Sequence, residues 1–305
     1  MISIVKTRKV WYSAAVVYLF IAIAAIFWYG FKPGLDFTGG ALLEVDFSQN
    51  RPSTSVVYEA LKPMDLGTIV AQPADEQAML VRLPFLSVEQ HQEVLNRLDE
   101  LNGTAPIIET RYETIGPSVS SELKSKSISA IILVILGIML YITWTFRKVS
   151  KPIPSWNYGL IVVVALVHDV IVPAGVMAVL GHFLGYEIDT LFVVALLTIL
   201  AFSVNDTIVT FDRIRENLVR APQPDFADTV DNSINETITR SLATSFAVLL
   251  TMFAVYFFGG ETVEHFMLIM IVGMIAGTYS SIFLASPMLV DLARRMDVHK
   301  LVPKK

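Results

Sequence analysis

Six long apolar stretches constrain what this chain can fold into more than any other feature. A bilayer core about 30 Å thick requires roughly 20 apolar residues in a helix that crosses it. The composition points the same way, because 54% of the 305 residues are hydrophobic and 17% are charged, against about a quarter charged in an average soluble protein. We therefore predict an α-helical membrane protein with six transmembrane helices. The predicted spans are Val10–Tyr29, Ile128–Phe146, Leu160–Leu180, Leu191–Phe211, Leu242–Phe258 and Phe266–Val290.

The distribution of basic residues predicts the orientation of these spans. Lys and Arg are enriched in cytoplasmic loops, and here they occur before span one, between spans two and three, between spans four and five, and after span six. The short loops 181–190 and 259–265 contain acidic residues and neither Lys nor Arg. Both termini are therefore predicted to be cytoplasmic. Residues 1–30 form the N-terminus and first span, 128–291 the remaining five spans, and 292–305 a basic cytoplasmic tail.

Residues 31–127 separate the first two spans, so this orientation places them outside the cytoplasm. Their patterning predicts an α+β domain with the order β-α-β-β-α-β, the ferredoxin-like pattern. Ser87 and Gln90 form the capping-box signature at the start of the second helix. The predicted strands are Ala41–Phe47, Gly67–Gln72, Met79–Leu83 and Ile107–Thr114, and the predicted helices are Ser53–Leu61 and Ser87–Asn102.

This outer domain shows no catalytic constellation. His91 lies in a polar stretch of its helix, so we expect a solvated surface histidine. The glycine-rich segment 34–40 lacks the Lys-Ser/Thr pair of a phosphate-binding loop, and no strand precedes it. We expect it to form a tight junction in which glycine supplies unusual backbone angles.

Ionisable groups inside membrane spans are costly and by default mark function. Asp206 is the first candidate, because it lies seven residues before Arg213 and so about 10 Å inward from the cytoplasmic boundary. Asp169, beside His168 near the middle of span three, is the second. We expect the neighbours of Asp206 to satisfy its hydrogen bonds or to hold water, and these are Ser203, Asn205, Thr207 and Thr210.

Arg240 is the candidate partner of Asp206, because it stands two residues before span five on the same side of the membrane. Burial disfavours a charged carboxyl, whereas a nearby Arg favours it. An Asp whose Arg partner comes and goes would alternately hold and release a proton. The same pair can instead be a static brace between helices, and Asp169 with His168 can be structural. The small residues of span six, Gly273, Gly277 and Ser280–Ser281, suggest close helix packing.

The residues also exclude several classes of function. The chain has no cysteine, which rules out disulfides, thiolate metal sites and cysteine nucleophiles. No His-Glu-x-x-His, Gly-x-Ser-x-Gly or nucleotide-binding motif occurs, so we expect neither an enzyme nor a bound cofactor or metal. A net charge of −5 with scattered Lys and Arg argues against a nucleic-acid partner. Any work done must therefore draw on an ion gradient or on the ATPase of a partner.

These features together resemble the SecF branch of the SecD/SecF family of bacterial protein-export membrane proteins, within the RND superfamily. The resemblance runs along nearly the whole chain, and the order and spacing of its motifs make it specific. The matching motifs are Gly34–Gly40, Gly116–Pro117 with Glu122–Leu123, His168–Val170, Asn205–Val209, Phe211–Asn217, Thr237–Ser245 with Arg240, Phe258–Gly260 and Ala276–Phe283.

The resemblance implies a multi-pass subunit of the bacterial inner membrane, forming one RND-like half of six spans and pairing with SecD. Such units associate with the SecYEG channel, with YajC and sometimes with YidC, and use the proton-motive force to promote export of unfolded polypeptides. The Asp of the Asn-Asp-Thr motif and the Arg at the start of span five are the proton-pathway residues of that family, and they match Asp206, flanked by Asn205 and Thr207, and Arg240. Ala201–Phe202 departs from the usual Gly-Tyr, which removes a hydroxyl from that pathway.

Two other functions stay open on the residues alone. One is a stand-alone RND-like exporter of lipids or small molecules. The other is a structural scaffold without ion coupling, which would tolerate neutral substitutions at both Asp206 and Arg240. The carboxyl of Asp206 can in principle serve either protons or sodium ions.

Overall fold

The computed structural model describes residues 3–48, 51–103, 105–147, 153–220, 223 and 225–296. The chain forms two compact units, one of residues 1–32 with 129–305 and one of residues 33–128. The helices are α1 (Ile4–Tyr29), α2 (Leu35–Thr38), α3 (Thr54–Leu61), α4 (Val88–Asp99), α5 (Pro117–Thr145), α6 (Ser155–Leu184), α7 (Thr190–Arg220), α8 (Phe226–Phe258), α9 (Glu261–Tyr279) and α10 (Ser286–Arg295). The strands are β1 (Gly40–Asp46), β2 (Val70–Pro73), β3 (Ala78–Leu83) and β4 (Ile108–Ile115).

In the described part of the chain, six helical segments are long and apolar enough to cross a membrane, which confirms the six predicted spans. Several of the helices continue well beyond their apolar stretch. Helix α7 runs on to Arg220, and α8 begins at Phe226, where the side chain of Asp225 accepts a hydrogen bond from the backbone N–H of Ala227. Hydropathy marks only the part of a helix that lies in lipid, so it underestimates helices that extend into water.

The helices of the membrane unit form an inner and an outer set. More than half of the apolar window is buried in α6, in α7 and in the sixth span, against less than a fifth in α1, α5 and α8. Tyr158, Phe211 and Phe146 are fully buried in the core of this unit. Phe211 packs edge-on against both other rings, at centroid distances of 5.5 and 6.0 Å. The inner helices α6 and α7 are those that carry the predicted ionisable residues.

The sixth span is not one regular helix. Residues Ser280–Ala285 form a π-helical segment between α9 and α10, which periodicity did not predict. A π turn bonds each N–H to the carbonyl five residues back and is frequent at functional sites. In addition to the backbone bonds, the side-chain hydroxyl of Ser286 donates to the carbonyl of Ser281, five residues earlier, at 3.1 Å.

The second unit contains a four-stranded antiparallel sheet in the order β2-β3-β1-β4. Its elements follow the predicted order β-α-β-β-α-β, with bounds that differ from the predicted ones by a few residues. The predicted capping box at Ser87 and Gln90 is present with both of its hydrogen bonds. Alternate residues of β1 and β3 pack with one face of α3 and α4 in a single apolar core, whose fully buried members include Leu43, Val45, Val57, Leu61, Met79, Val81, Val94 and Leu98.

Segment 34–40 forms a tightly turned junction that leads into β1, with glycines at its unusual backbone angles as the sequence predicts. It contains the short helix α2, which was not predicted, and ends in two glycines with φ of +69° and +114°. A Cβ on Gly40 would lie 2.6 Å from the carbonyl oxygen of Leu83. The junction therefore needs glycine for both its backbone angles and its close approach to β3.

The expectation of a solvated His91 was wrong. Its ring stacks on Tyr112 of β4 with centroids 3.8 Å apart. Its Nε2 lies 3.3 Å from a carboxylate oxygen of Glu109, and the side chain is 13% exposed. The helix periodicity did not reveal that this position faces a strand.

Candidate functional site

Asp206 is buried on α7 with 7% of its surface exposed. Its carboxylate oxygen accepts a hydrogen bond from the hydroxyl of Ser245 on α8 at 3.3 Å, and Thr278 of α9 donates to Ser245 at 2.8 Å. Among the residues that the structure describes, no cation forms an ion pair with this carboxyl group. A carboxyl buried without a cation favours its neutral form.

The hydrogen-bond partner of Asp206 is not one of the four predicted neighbours. Ser203 donates to Asp169 instead, and Thr210 donates to the backbone carbonyl of Asp206 at 3.3 Å. Thr207 is buried, and its single hydroxyl hydrogen has two alternative acceptors, the carbonyl of Ser203 at 3.1 Å and the hydroxyl of Ser281 at 2.9 Å. Asn205 is exposed, and its side chain makes no hydrogen bond within the described ranges. Residues close to Asp206 in the sequence point in different directions around α7. The hydrogen-bond donor to its carboxylate comes instead from Ser245 on α8.

A polar ladder of side-chain pairs joins α7 and α8. Three hydrogen-bonded rungs connect the two helices and are spaced along their facing sides. Thr237, in the middle rung, donates its one hydroxyl hydrogen to the carbonyl of Ser233 at 2.9 Å, so the hydrogen bond of this rung is donated by Thr210 as an alternative to its bond with the carbonyl of Asp206. From the helix ends inward, the rungs are Asn217–Ser233 at 3.0 Å, Thr210–Thr237 at 3.4 Å and Asp206–Ser245 at 3.3 Å. The ladder is a line of polar groups that leads from the polar ends of both helices to Asp206.

A cavity of about 550 Å³ lies beside the polar ladder and reaches its middle rung, because Thr237 is part of its lining. Arg213 bridges two acidic side chains of this cavity, at 2.5 Å to Glu236 and 2.6 Å to Glu216. Arg240 is exposed in the same cavity and forms no ion pair in the described part of the chain. The full lining is Ile208, Val209, Asp212, Arg213, Glu216, Glu236, Thr237 and Arg240.

The structure therefore does not join Arg240 to Asp206. Arg240 precedes Ser245, the partner of Asp206, by five residues. Five residues correspond to about 7.5 Å along the helix axis and about 140° around it. The guanidinium and the carboxyl are therefore not in contact in this arrangement of α7 and α8.

Asp169 and His168 form a second buried polar centre on α6, with 0% and 4% of their surfaces exposed. His168 Nδ1 lies 2.7 Å from a carboxylate oxygen of Asp169, and its Nε2 lies 2.5 Å from the hydroxyl of Tyr18 on α1. The hydroxyls of Ser203 and Ser280 both donate to the other carboxylate oxygen. His168 and Asp169 are therefore adjacent in the chain and also hydrogen-bonded to each other through their side chains.

Ser280 and Ser281 of the π segment contact the two centres separately. Ser280 donates to Asp169 at 2.9 Å, and Ser281 bonds the hydroxyl of Thr207, the residue after Asp206. The carbonyl of Gly277 is an alternative acceptor for both serine hydroxyls, at 3.1 and 2.9 Å, and a Cβ added to Gly277 would lie 3.0 Å from Ser203. Span six packs as closely as predicted, but its serines are hydrogen-bond partners of the site as well as packing residues. In the sequence, the only indication of this hydrogen-bonding role was the presence of two polar residues, Ser280 and Ser281, inside an apolar span.

Comparison with known proteins decides the family. The model for "Protein export membrane protein SecD/SecF, C-terminal" matches residues 97–295, and the "SecD/SecF GG Motif" matches residues 25–50. The chain belongs to the SecD/SecF family. The matched GG-motif region contains Gly39 and Gly40. The two glycines whose positive φ angles end segment 34–40 therefore belong to a motif of this family.

Within the SecD/SecF family the chain is SecF-like. It is 37% identical to protein translocase subunit SecF of Thermobaculum terrenum, over 95% of this chain and 94% of that protein. It is 35% identical to the same subunit of Synechocystis, over 90% and 88%. The chain is therefore a multi-pass membrane protein and a SecF-like subunit of protein translocation.

The fold also matches a solved structure of this family. SecDF, a translocon-associated membrane protein from Thermus thermophilus, superposes with a TM-score of 0.78 at 31% identity. The match covers 96% of this chain and 39% of SecDF. The chain thus corresponds to well under half of that longer protein.

Proposed function

We propose that this chain couples the proton-motive force to protein export through Asp206 and Arg240. The supporting observation is the buried carboxyl of Asp206 at the inner end of the polar ladder, with the exposed Arg240 in the cavity beside the ladder; neither forms an ion pair in the described part of the chain. The ladder supplies hydroxyl and amide groups along which a proton or a water can be passed. Approach of the guanidinium stabilises the carboxylate and releases the proton, and its withdrawal restores the acid.

The energy available is adequate for such a device. One elementary charge crossing about 100 mV yields roughly 2.3 kcal/mol, and a bias of that size shifts a two-state equilibrium about fifty-fold. The two states are the described arrangement and one in which α8 has moved to bring Arg240 to Asp206. Asp169 and its hydrogen-bond partner His168 are secondary candidates, because adjacent serines of the π segment bond Asp169 and Thr207.

The proposal includes the setting implied by the family. The chain would lie in the bacterial inner membrane with both termini cytoplasmic and residues 31–127 outside, paired with SecD, which supplies the second six spans. The pair would act with SecYEG and YajC, and in some units also with YidC, on the unfolded polypeptide emerging from the channel. The sheet domain would contact that polypeptide or SecD.

Asp206→Asn tests the coupling directly, because the amide oxygen can still accept from Ser245. We expect the variant to assemble with SecD but to lose the stimulation of export by a proton gradient in membrane vesicles. Arg240→Gln is expected to lose it too. The matched controls are Asp228→Asn, at an exposed position in the first turn of α8, and Arg220→Gln, at an exposed position at the end of α7.

The alternatives predict different outcomes for the same set of variants. Full gradient-dependent export by both Asp206→Asn and Arg240→Gln would contradict the proposal and favour a scaffold. Purification of the active chain from native membranes without a SecD-like partner would favour a stand-alone exporter. Equal losses in the control variants would show a general defect of the bundle.

A further inference from the structure

A second cavity, unrelated to Asp206, opens where the start of α1 meets the end of the sixth span. Its volume is about 630 Å³, within the range of small-molecule sites. Four basic side chains and one acidic side chain line it, which gives the lining a net charge of +3. The charged residues are Arg8, Lys9, Arg294, Arg295 and Asp291.

The single acidic residue of this cavity is already neutralised. Arg8 Nε lies 2.8 and 3.1 Å from the two carboxylate oxygens of Asp291, and the hydroxyl of Tyr12 donates to the same carboxylate at 3.0 Å. Lys9, Arg294 and Arg295 are exposed and form no ion pair in the described part of the chain. These three cationic side chains are therefore available to bind an anion. The Arg8–Asp291 pair links the start of α1 to the end of α10.

An apolar groove continues from this basic cavity into the depth of the membrane. It has a volume of about 470 Å³, runs between α1 and α6, and shares Tyr12, Val164 and Met288 with the basic cavity. Its remaining lining is apolar apart from His168 and consists of Ala15, Val16, Leu19, Val163, Ala165, Val167 and Leu284. The two cavities therefore form one cleft with a cationic end and an aliphatic body.

We propose that this cleft binds an anionic phospholipid, with its headgroup phosphate among Lys9, Arg294 and Arg295 and an acyl chain along the groove between α1 and α6. Basic pockets between transmembrane helices are a recognised mode of binding for anionic lipid headgroups. A free phosphate would use only the cationic end, and a neutral lipid would use only the groove. The joined cleft fits a ligand that has both parts, and its lining includes neither Asp206 nor Arg240, although the secondary candidate His168 lines the groove.

The charge arm of the test uses the full chain purified in a neutral detergent and titrated with phosphatidylglycerol, by native mass spectrometry and thermal denaturation. Each basic side chain contributes about a fivefold gain in affinity for an anionic lipid, so we expect Lys9→Gln with Arg295→Gln to weaken binding about 25-fold. Lys6→Gln is the matched control, because Lys6 is exposed on the same helix but outside the cavity. Equal weakening by the control would overturn the proposal.

The groove arm tests the acyl chain. Val16 lines the groove and is 64% exposed, whereas its neighbour Val17 is 58% exposed and does not line it. Val16→Trp should fill the groove and displace phosphatidylglycerol, and Val17→Trp should leave binding unchanged. Either equal affinity for phosphatidylcholine with the same chains or equal stabilisation by inorganic phosphate alone would contradict the proposal. The outcome does not depend on export activity, so it is independent of the proposed function.

Discussion

Gly40, the second glycine of the GG motif, should tolerate no side chain. Its φ is +114°, and a Cβ there would lie 2.6 Å from the carbonyl oxygen of Leu83. That oxygen belongs to the backbone of β3, which pairs with β1 through Ala41 and Leu83. No rotamer change can relieve a clash with sheet backbone. Gly40→Ala must therefore distort the end of the β1–β3 ladder.

The size of this effect follows from two separate penalties. Forcing a non-glycine residue into the backbone conformation of Gly40 costs about 1–3 kcal/mol, and overpacking adds about 1–3 kcal/mol. Gly103 provides a matched control, because its φ is +74° and no heavy atom lies within 4 Å of its added Cβ. Gly103→Ala should therefore show the backbone penalty without the clash.

Hydrogen exchange of the full chain in detergent measures the difference between these two variants. We expect the amides of β1 and β3 to exchange about 5- to 150-fold faster in Gly40→Ala than in Gly103→Ala, which is the overpacking penalty expressed as a rate ratio. If both variants protect these strands equally, the steric explanation of the motif is wrong.

Two further changes test the packing described above. Ser87→Ala removes the capping box and should destabilise α4 by about 1 kcal/mol, which is measured as faster hydrogen exchange of its first-turn amides. The control Ser53→Ala, at a helix start without a side-chain cap bond, should change exchange in α3 far less. Equal effects of the two substitutions would contradict this prediction. In Gly273→Ala the new Cβ would lie 2.1 Å from Ile199 Cδ1, so we expect a loss of about 1–3 kcal/mol in thermal denaturation. Adding Ile199→Ala should give less than the sum of the single losses, and strict additivity would argue against the contact.

The sequence predicted those parts of the fold that depend on local patterns. Hydropathy located all six spans, because lipid demands about 20 apolar residues in a row. Alternation and the capping box of Ser87 located the elements of the sheet domain. Helix ends such as Arg220 and Phe226 were missed, because polar helical residues beyond the bilayer carry no hydropathy signal.

Contacts between distant residues were beyond the reach of patterns. Asp206 and Asp169 were recognised as buried acids from hydropathy alone, but their partners were not. Ser245 lies 39 residues from Asp206, and Tyr18 lies 150 residues from His168. The π segment was also missed, because hydropathy does not distinguish a turn with bonds to the fifth residue from a regular α-helical turn.

The most direct test of the account is the protonation state of Asp206 during export. Infrared difference spectroscopy of membranes that contain the chain with SecD, with Asp206→Asn used to assign the carboxyl band, follows that state. We expect an acid band that disappears and returns as a proton gradient is applied during secretion, and that stays in the acid form in Arg240→Gln. A carboxyl that keeps one form throughout while secretion proceeds at its normal rate would contradict the account.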